Sequence, residues 1–132
     1  GTGQWSASLK GGHPTLFSVF EREVLTLLQT VKRKMPRLHN NLFVRMMHYN
    51  PIGDLIGACP ATDWRSPPVV DMYNAILKNV SSQLTIPFID TAFIMDPMWD
   101  SAKDWCHYIN AAGQEEARYM TWYLSSHAQR QQ

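Results

Sequence analysis

Apolar residues along the chain fall into three stretches of helical spacing, separated by two short runs of nearly continuous apolar character. Leu16, Phe17, Phe20, Val24, Leu27, Leu28 and Val31 recur every three or four positions, the period that turns one helix face toward a core. Thr15 is placed to cap that helix. Pro36 stops it near Met35, because proline disfavours helical geometry in the residue before it. Asn40-Asn41 reads as a turn, and Leu42 through Tyr49 as a mostly buried strand that Asn50-Pro51 ends. Ser66-Pro67 supplies a capping oxygen and a first-turn proline for a second helix. Its apolar face is Val69, Tyr73, Ile76, Leu77 and Val80. A second strand spans Ile86 to Asp90, with Pro87 suited to a strand start or an edge. Asn110 is placed to cap the last helix, in which Ala117, Met120, Tyr123 and Leu124 form the buried stripe. Glu115 and Glu116 lie in its first turns, where anions suit the helix dipole.

Helices alternating with strands predict an α/β fold, a parallel sheet with flanking helices, as a single domain over 1–132. Functional loops of such sheets lie at the carboxyl ends of the strands. The two long loops, 50–66 and 95–108, each follow a strand and are expected to share one rim. The strand over 42–49 is expected to be flanked on one side by a strand this chain lacks.

The totals narrow the function classes. At 132 residues and 45% hydrophobic, the chain suits one core. Lys+Arg number 12 against 11 Asp+Glu, a net charge of +1, so no polyanionic partner, nucleic acid included, is expected. The basic run Lys32, Arg33, Lys34 and Arg37 falls at a helix end, where cations suit the dipole. No apolar run reaches the ~20 residues of a membrane helix, so no membrane insertion by this chain is expected. The chain starts at Gly1 without an initiator Met and reads as cut, processed or cloned from something longer. Two cysteines support neither a disulfide-rich scaffold nor a four-ligand zinc site. No metal or other cofactor is called for. The sequon Asn79-Val80-Ser81 points toward the secretory pathway; the compartment is otherwise open.

The chemistry concentrates in Asp104-Trp105-Cys106-His107, followed by Tyr108-Ile109-Asn110 and a helix. An acid and a histidine two residues apart meet across one turn. The carboxylate holds one ring nitrogen and leaves the other as a base, which is two thirds of a nucleophilic triad. His48 ends a strand on the same rim, either lining a pocket or packed. Trp64, Trp99 and Trp105 lie in the rim loops, as loop packing or as a platform for a carbohydrate or acyl group. His13, His39 and His127 are expected to face water. Ser6 and Ser8 lack the strand-turn-helix setting that exposes a catalytic serine. Cys106 reads as buried or disulfide-bonded rather than as a nucleophile. Cys59 and Cys106, one in each rim loop, are expected to form a disulfide if the parent is secretory.

A strand ending in Asp90, the Asp104–His107 loop and Tyr108-Ile109-Asn110-Ala111-Ala112-Gly113 opening the last helix resemble the C-terminal half of an SGNH (GDSL-type) hydrolase. Gly1-Thr2-Gly3-Gln4-Trp5 is similar to the Asn-Thr-Gly-His-Trp block of the PC-esterase and trichome-birefringence-like branch. The resemblance implies a flavodoxin-like parallel sheet, present as its C-terminal half only. It makes His107 the general base and Asp104 its orienting carboxylate. The family's nucleophile is a serine in a Gly-Asp-Ser turn, and its oxyanion donors include the backbone of that serine and a glycine of a separate block. No Gly-Asp-Ser occurs in this chain, and Gly1 stands where many relatives have asparagine. The expected function is therefore ester hydrolysis or O-acyl transfer on an acylated glycan or other ester, with His107 and Asp104 completed by a serine from outside. The missing N-terminal half or another protein chain is the expected partner. Trp105, Trp64 and His48 are the expected substrate contacts. The alternative is a noncatalytic structural or binding subunit on a degenerate hydrolase fold.

Overall fold

Residues 16–48, 67–98, 101, 108 and 110–129 are described by the structure, a computed structural model. Helix α1 spans Phe17–Lys34 and stops one residue short of Met35. Thr15 lies outside the described residues; Leu16 holds the N-cap position without a side-chain cap. Pro36, which ends α1, starts a 3₁₀ helix over Pro36–Asn41, so Asn40-Asn41 is helical rather than a simple turn. Strand β1 is Val44–Arg45, helix α2 is Pro67–Gln83, and strand β2 is Phe88–Ile89. A short helix α3, Ala92–Met95, continues into a 3₁₀ turn at Asp96–Met98. Helix α4 is Asn110–Gln129. The strands pair in parallel as a two-stranded sheet with a helical crossover between them, a small α/β arrangement.

The strand expected over 42–49 is only two residues long. Its ladder is fixed where the Val44 N–H donates to the Pro87 carbonyl at 3.0 Å. Three residues on, a side chain replaces the neighbouring strand. The Met47 N–H donates to Asn74 Oδ1 at 2.7 Å, and Asn74 Nδ2 donates back to the Met47 carbonyl at 2.9 Å. The α2 amide thus satisfies both backbone groups that a longer ladder would have used. The run 95–98, expected as loop, is likewise helical.

The described residues divide into two compact units: one with the residues through Met47 and those up to Phe88, the other with His48 and the residues from Ile89 onward. The first unit has its core where α1 meets α2. Leu28, Val80 and Ile86 are buried together, with Val24, Leu25, Leu42, Val44, Ile76 and Leu84 packed around them. Tyr73 is buried and takes Phe17 and Phe20 edge-on at centroid distances of 4.9 and 4.5 Å. Val70, fully buried, belongs to the same α2 face beside the expected Tyr73 and Val80.

The end of α2 explains how the chain turns into β2. Ile86 N–H donates to the Ser81 carbonyl at 2.8 Å, and Thr85 N–H to the Ser82 carbonyl at 3.1 Å. This paired arrangement is the Schellman motif, closed by the apolar contact of Ile86 with the Val80 turn. Its left-handed residue is normally glycine; here it is Thr85, at φ 56°. A β-branched residue there costs on the order of 1–2 kcal/mol. Thr85→Gly is expected to raise stability by about 0.5–1 kcal/mol, glycine's larger unfolded-state entropy offsetting part of the gain. Urea midpoints of the two proteins check this; a lower midpoint for the glycine variant would refute the strain. Lys32 supports the same turn, its Nζ donating to the Leu84 carbonyl at 2.6 Å.

Candidate functional site

In the second unit, the polar centre is built on residues from three separated parts of the chain. Thr91, two residues past the end of β2, is fully buried. Its carbonyl accepts the Ile94 and Met95 N–H groups, each at 3.0 Å, which starts α3. Asp90, exposed, turns the chain there by accepting the Ala92 N–H at 3.0 Å. Thr91 does not cap the helix with its hydroxyl. That hydroxyl instead donates to Glu116 Oε1 at 2.8 Å.

Glu116 is the unexpected residue. It sits on the inner face of α4 with 8% exposure, in register with fully buried Ala112. The stripe expected from the sequence is displaced: Ala117 and Leu124 are exposed, while Ala112 and Glu116 are buried and Met120 and Tyr123 half-buried. Burying a carboxylate is costly unless it is paired and hydrogen-bonded. Both conditions are met, because Glu116 Oε1 also lies 2.8 Å from His48 Nε2. Glu115 behaves as expected of an exposed acid, bonding Arg118 one turn on at 2.7 Å. The signal for Glu116 was present in the sequence: it stands four residues from Ala112 and from Met120, on an apolar stripe.

His48 is accordingly packed, not an open pocket wall. Its Nε2 faces the carboxylate, its Nδ1 is shut off from solvent, and Tyr108 meets its ring edge-on at 5.7 Å. With these contacts His48 braces its own segment to α4. His127, expected to face water, is half-buried and stacks on Tyr123 with ring planes 4° apart.

Burial pushes the Tyr108 phenol above its ordinary value, and the Asp96 carboxylate adds to the same upward shift. The folded state thus favours the neutral phenol. Its contribution to stability is complete below the ordinary phenol range and is lost as pH rises through the raised value. The wild type is expected to lose stability above about pH 10 more steeply than Tyr108→Phe. Tyr73, also raised by burial, is common to both proteins. Urea midpoints between about pH 8 and about pH 11 measure the difference; parallel curves would disprove it.

His107, Asp104, Trp105 and Trp64 lie outside the described residues, as do Cys59, Cys106, Trp99, Ser6, Ser8 and Gly1–Trp5. Of the sequence-derived site residues, His48 is the one whose surroundings are described, with Tyr108 adjoining His107 in sequence. Among the described residues, no group of three or more His, Cys, Asp or Glu is arranged to hold a metal ion. No described helix is long and apolar enough to cross a membrane. Compared with known proteins, the chain matches no family model, no curated protein and no solved structure.

Proposed function

We propose that this chain supplies the acid–base half of an SGNH-type ester hydrolase or O-acyl transferase. His107 acts as the general base toward a serine hydroxyl, and Asp104 orients its ring and stabilises the imidazolium that forms. The observation that carries this reading is the sequence run Asp104-Trp105-Cys106-His107, set between the second strand of a parallel pair and the last helix. In open α/β sheets, the segment leaving a strand's carboxyl end is where reacting groups gather. The nucleophile comes from residues outside this sequence or from a second chain, since Gly-Asp-Ser is absent here. The substrate class is an O-acyl ester, with an acylated glycan as the version that Trp64 and Trp105 would suit by stacking on a sugar face.

Association with a completing polypeptide is supported by the large apolar side chains left at the surface. Leu16, Leu27, Phe93 and Trp122 are each at least three-fifths exposed. Among the described residues the sheet has two strands, short of the three or more that stand alone in water. The same exposure favours the second reading, a noncatalytic subunit that binds through exposed apolar side chains of either unit. The two are separated by recovering the chain together with its bound partner and assaying acetylated oligosaccharides. Ester hydrolysis that requires His107 supports the enzyme; a stable complex with no hydrolysis supports the subunit.

A further inference from the structure

We infer that the exposed run from Arg33 to Leu38 is a docking surface for an anionic lipid headgroup layer, bound peripherally and without insertion of a helix. This inference is independent of the ester chemistry above. Arg33, Lys34, Met35, Pro36, Arg37 and Leu38 are six consecutive exposed residues. The helix dipole accounts for cations in the last turn of α1. It does not account for Arg37, which lies in the following 3₁₀ helix. Nor does it account for Met35, between Lys34 and Arg37, or Leu38, next to Arg37, which stay 51% and 38% exposed.

Lys32 is not part of the surface charge, because its ammonium is turned to the Leu84 carbonyl. Among the described residues, no carboxylate pairs with Arg33, Lys34 or Arg37. The sequence keeps acids away as well: no Asp or Glu occurs from Val24 through Gly53. The positive field there is therefore not neutralised locally, although the chain as a whole is close to neutral.

The interleaving decides the partner. Cations flanking exposed Met and Leu match the boundary between headgroup phosphates and acyl chains, where charge and apolar contact act together. A single-stranded nucleic acid would instead be met by aromatic rings for base stacking, and the run contains none.

The test uses the full chain and vesicles of phosphatidylcholine with and without phosphatidylserine, read by co-sedimentation. Binding is expected only with phosphatidylserine and is expected to weaken as salt rises. Changing Arg33, Lys34 and Arg37 together to glutamine should lower the partition coefficient about a hundredfold, at about fivefold per cation. Met35→Ser with Leu38→Ser should lower it about tenfold. No binding, or equal binding to both vesicle types, would overturn the proposal on the wild-type protein alone. So would a triple variant that partitions like wild type, or tighter binding to an oligonucleotide than to phosphatidylserine vesicles at the same salt.

Discussion

Ester hydrolysis by the assembled enzyme is expected to fall by on the order of 10⁶ when His107 is replaced by alanine. The proton of a serine hydroxyl has to leave as its oxygen attacks the acyl carbon. In this chain, the group assigned to that work is the imidazole three residues after Asp104. Without it, only binding and oxyanion donors from the completing polypeptide remain. Asp104→Asn should cost less, on the order of 10⁴, because the ring stays while its tautomer and orientation are lost. His48→Ala is the control. Its Nε2 is already engaged with Glu116 and its Nδ1 is buried, so its loss should lower stability and leave kcat for ester hydrolysis within a few-fold of wild type. Turnover that survives in His107→Ala would sink the catalytic proposal and leave the noncatalytic subunit as the account of the fold.

Glu116→Ala is expected to destabilise the protein by about 2 kcal/mol, because buried donors left without an acceptor cost about 1–3 kcal/mol. The side chains of His48 and Glu116 retain 17% and 11% exposure, which limits the loss. Two donors lose their shared acceptor at once: the buried Thr91 hydroxyl and the His48 ring. Glu116→Gln keeps the shape and one carbonyl oxygen for Thr91, so it should cost about 1 kcal/mol. Hydrogen exchange gives a local readout. The Ile94 and Met95 amides, which bond the Thr91 carbonyl, should exchange faster in Glu116→Ala. A double-mutant cycle with His48→Ala should show coupling of about 1–3 kcal/mol, as for residues that share one bond. Denaturation midpoints for Glu116→Ala within about 0.5 kcal/mol of wild type would show that the brace contributes nothing.

Local sequence signals located the helices well because they act within a turn. The helical spacing from Leu16 to Val31 and the break at Pro36 bounded α1 to within a residue. Pro67 is the first residue of α2 as expected, and Asn110, expected as a cap, is the first residue of α4. The alternation of helix and strand gave the parallel pair with its crossover. Strand length was less legible. A run of apolar residues such as Leu42–Met47 states that it will be buried, not what its backbone will bond. Asn74, from a helix far along the chain, took the Met47 groups that a longer ladder would have used.

By itself the sequence determined the order of the three long helices and the two strands and the apolar face of α2, because periodicity and proline act between neighbouring positions; Leu16 and Leu27, expected on the buried face of α1, are instead 70% and 61% exposed. The tertiary structure decided which partners Glu116, read from the sequence only as an acid suited to the helix dipole, meets on the buried face of α4. Only folding brings Thr91 and His48 to the same carboxylate oxygen, each 2.8 Å away, and without those two partners a buried carboxylate would not be stable there.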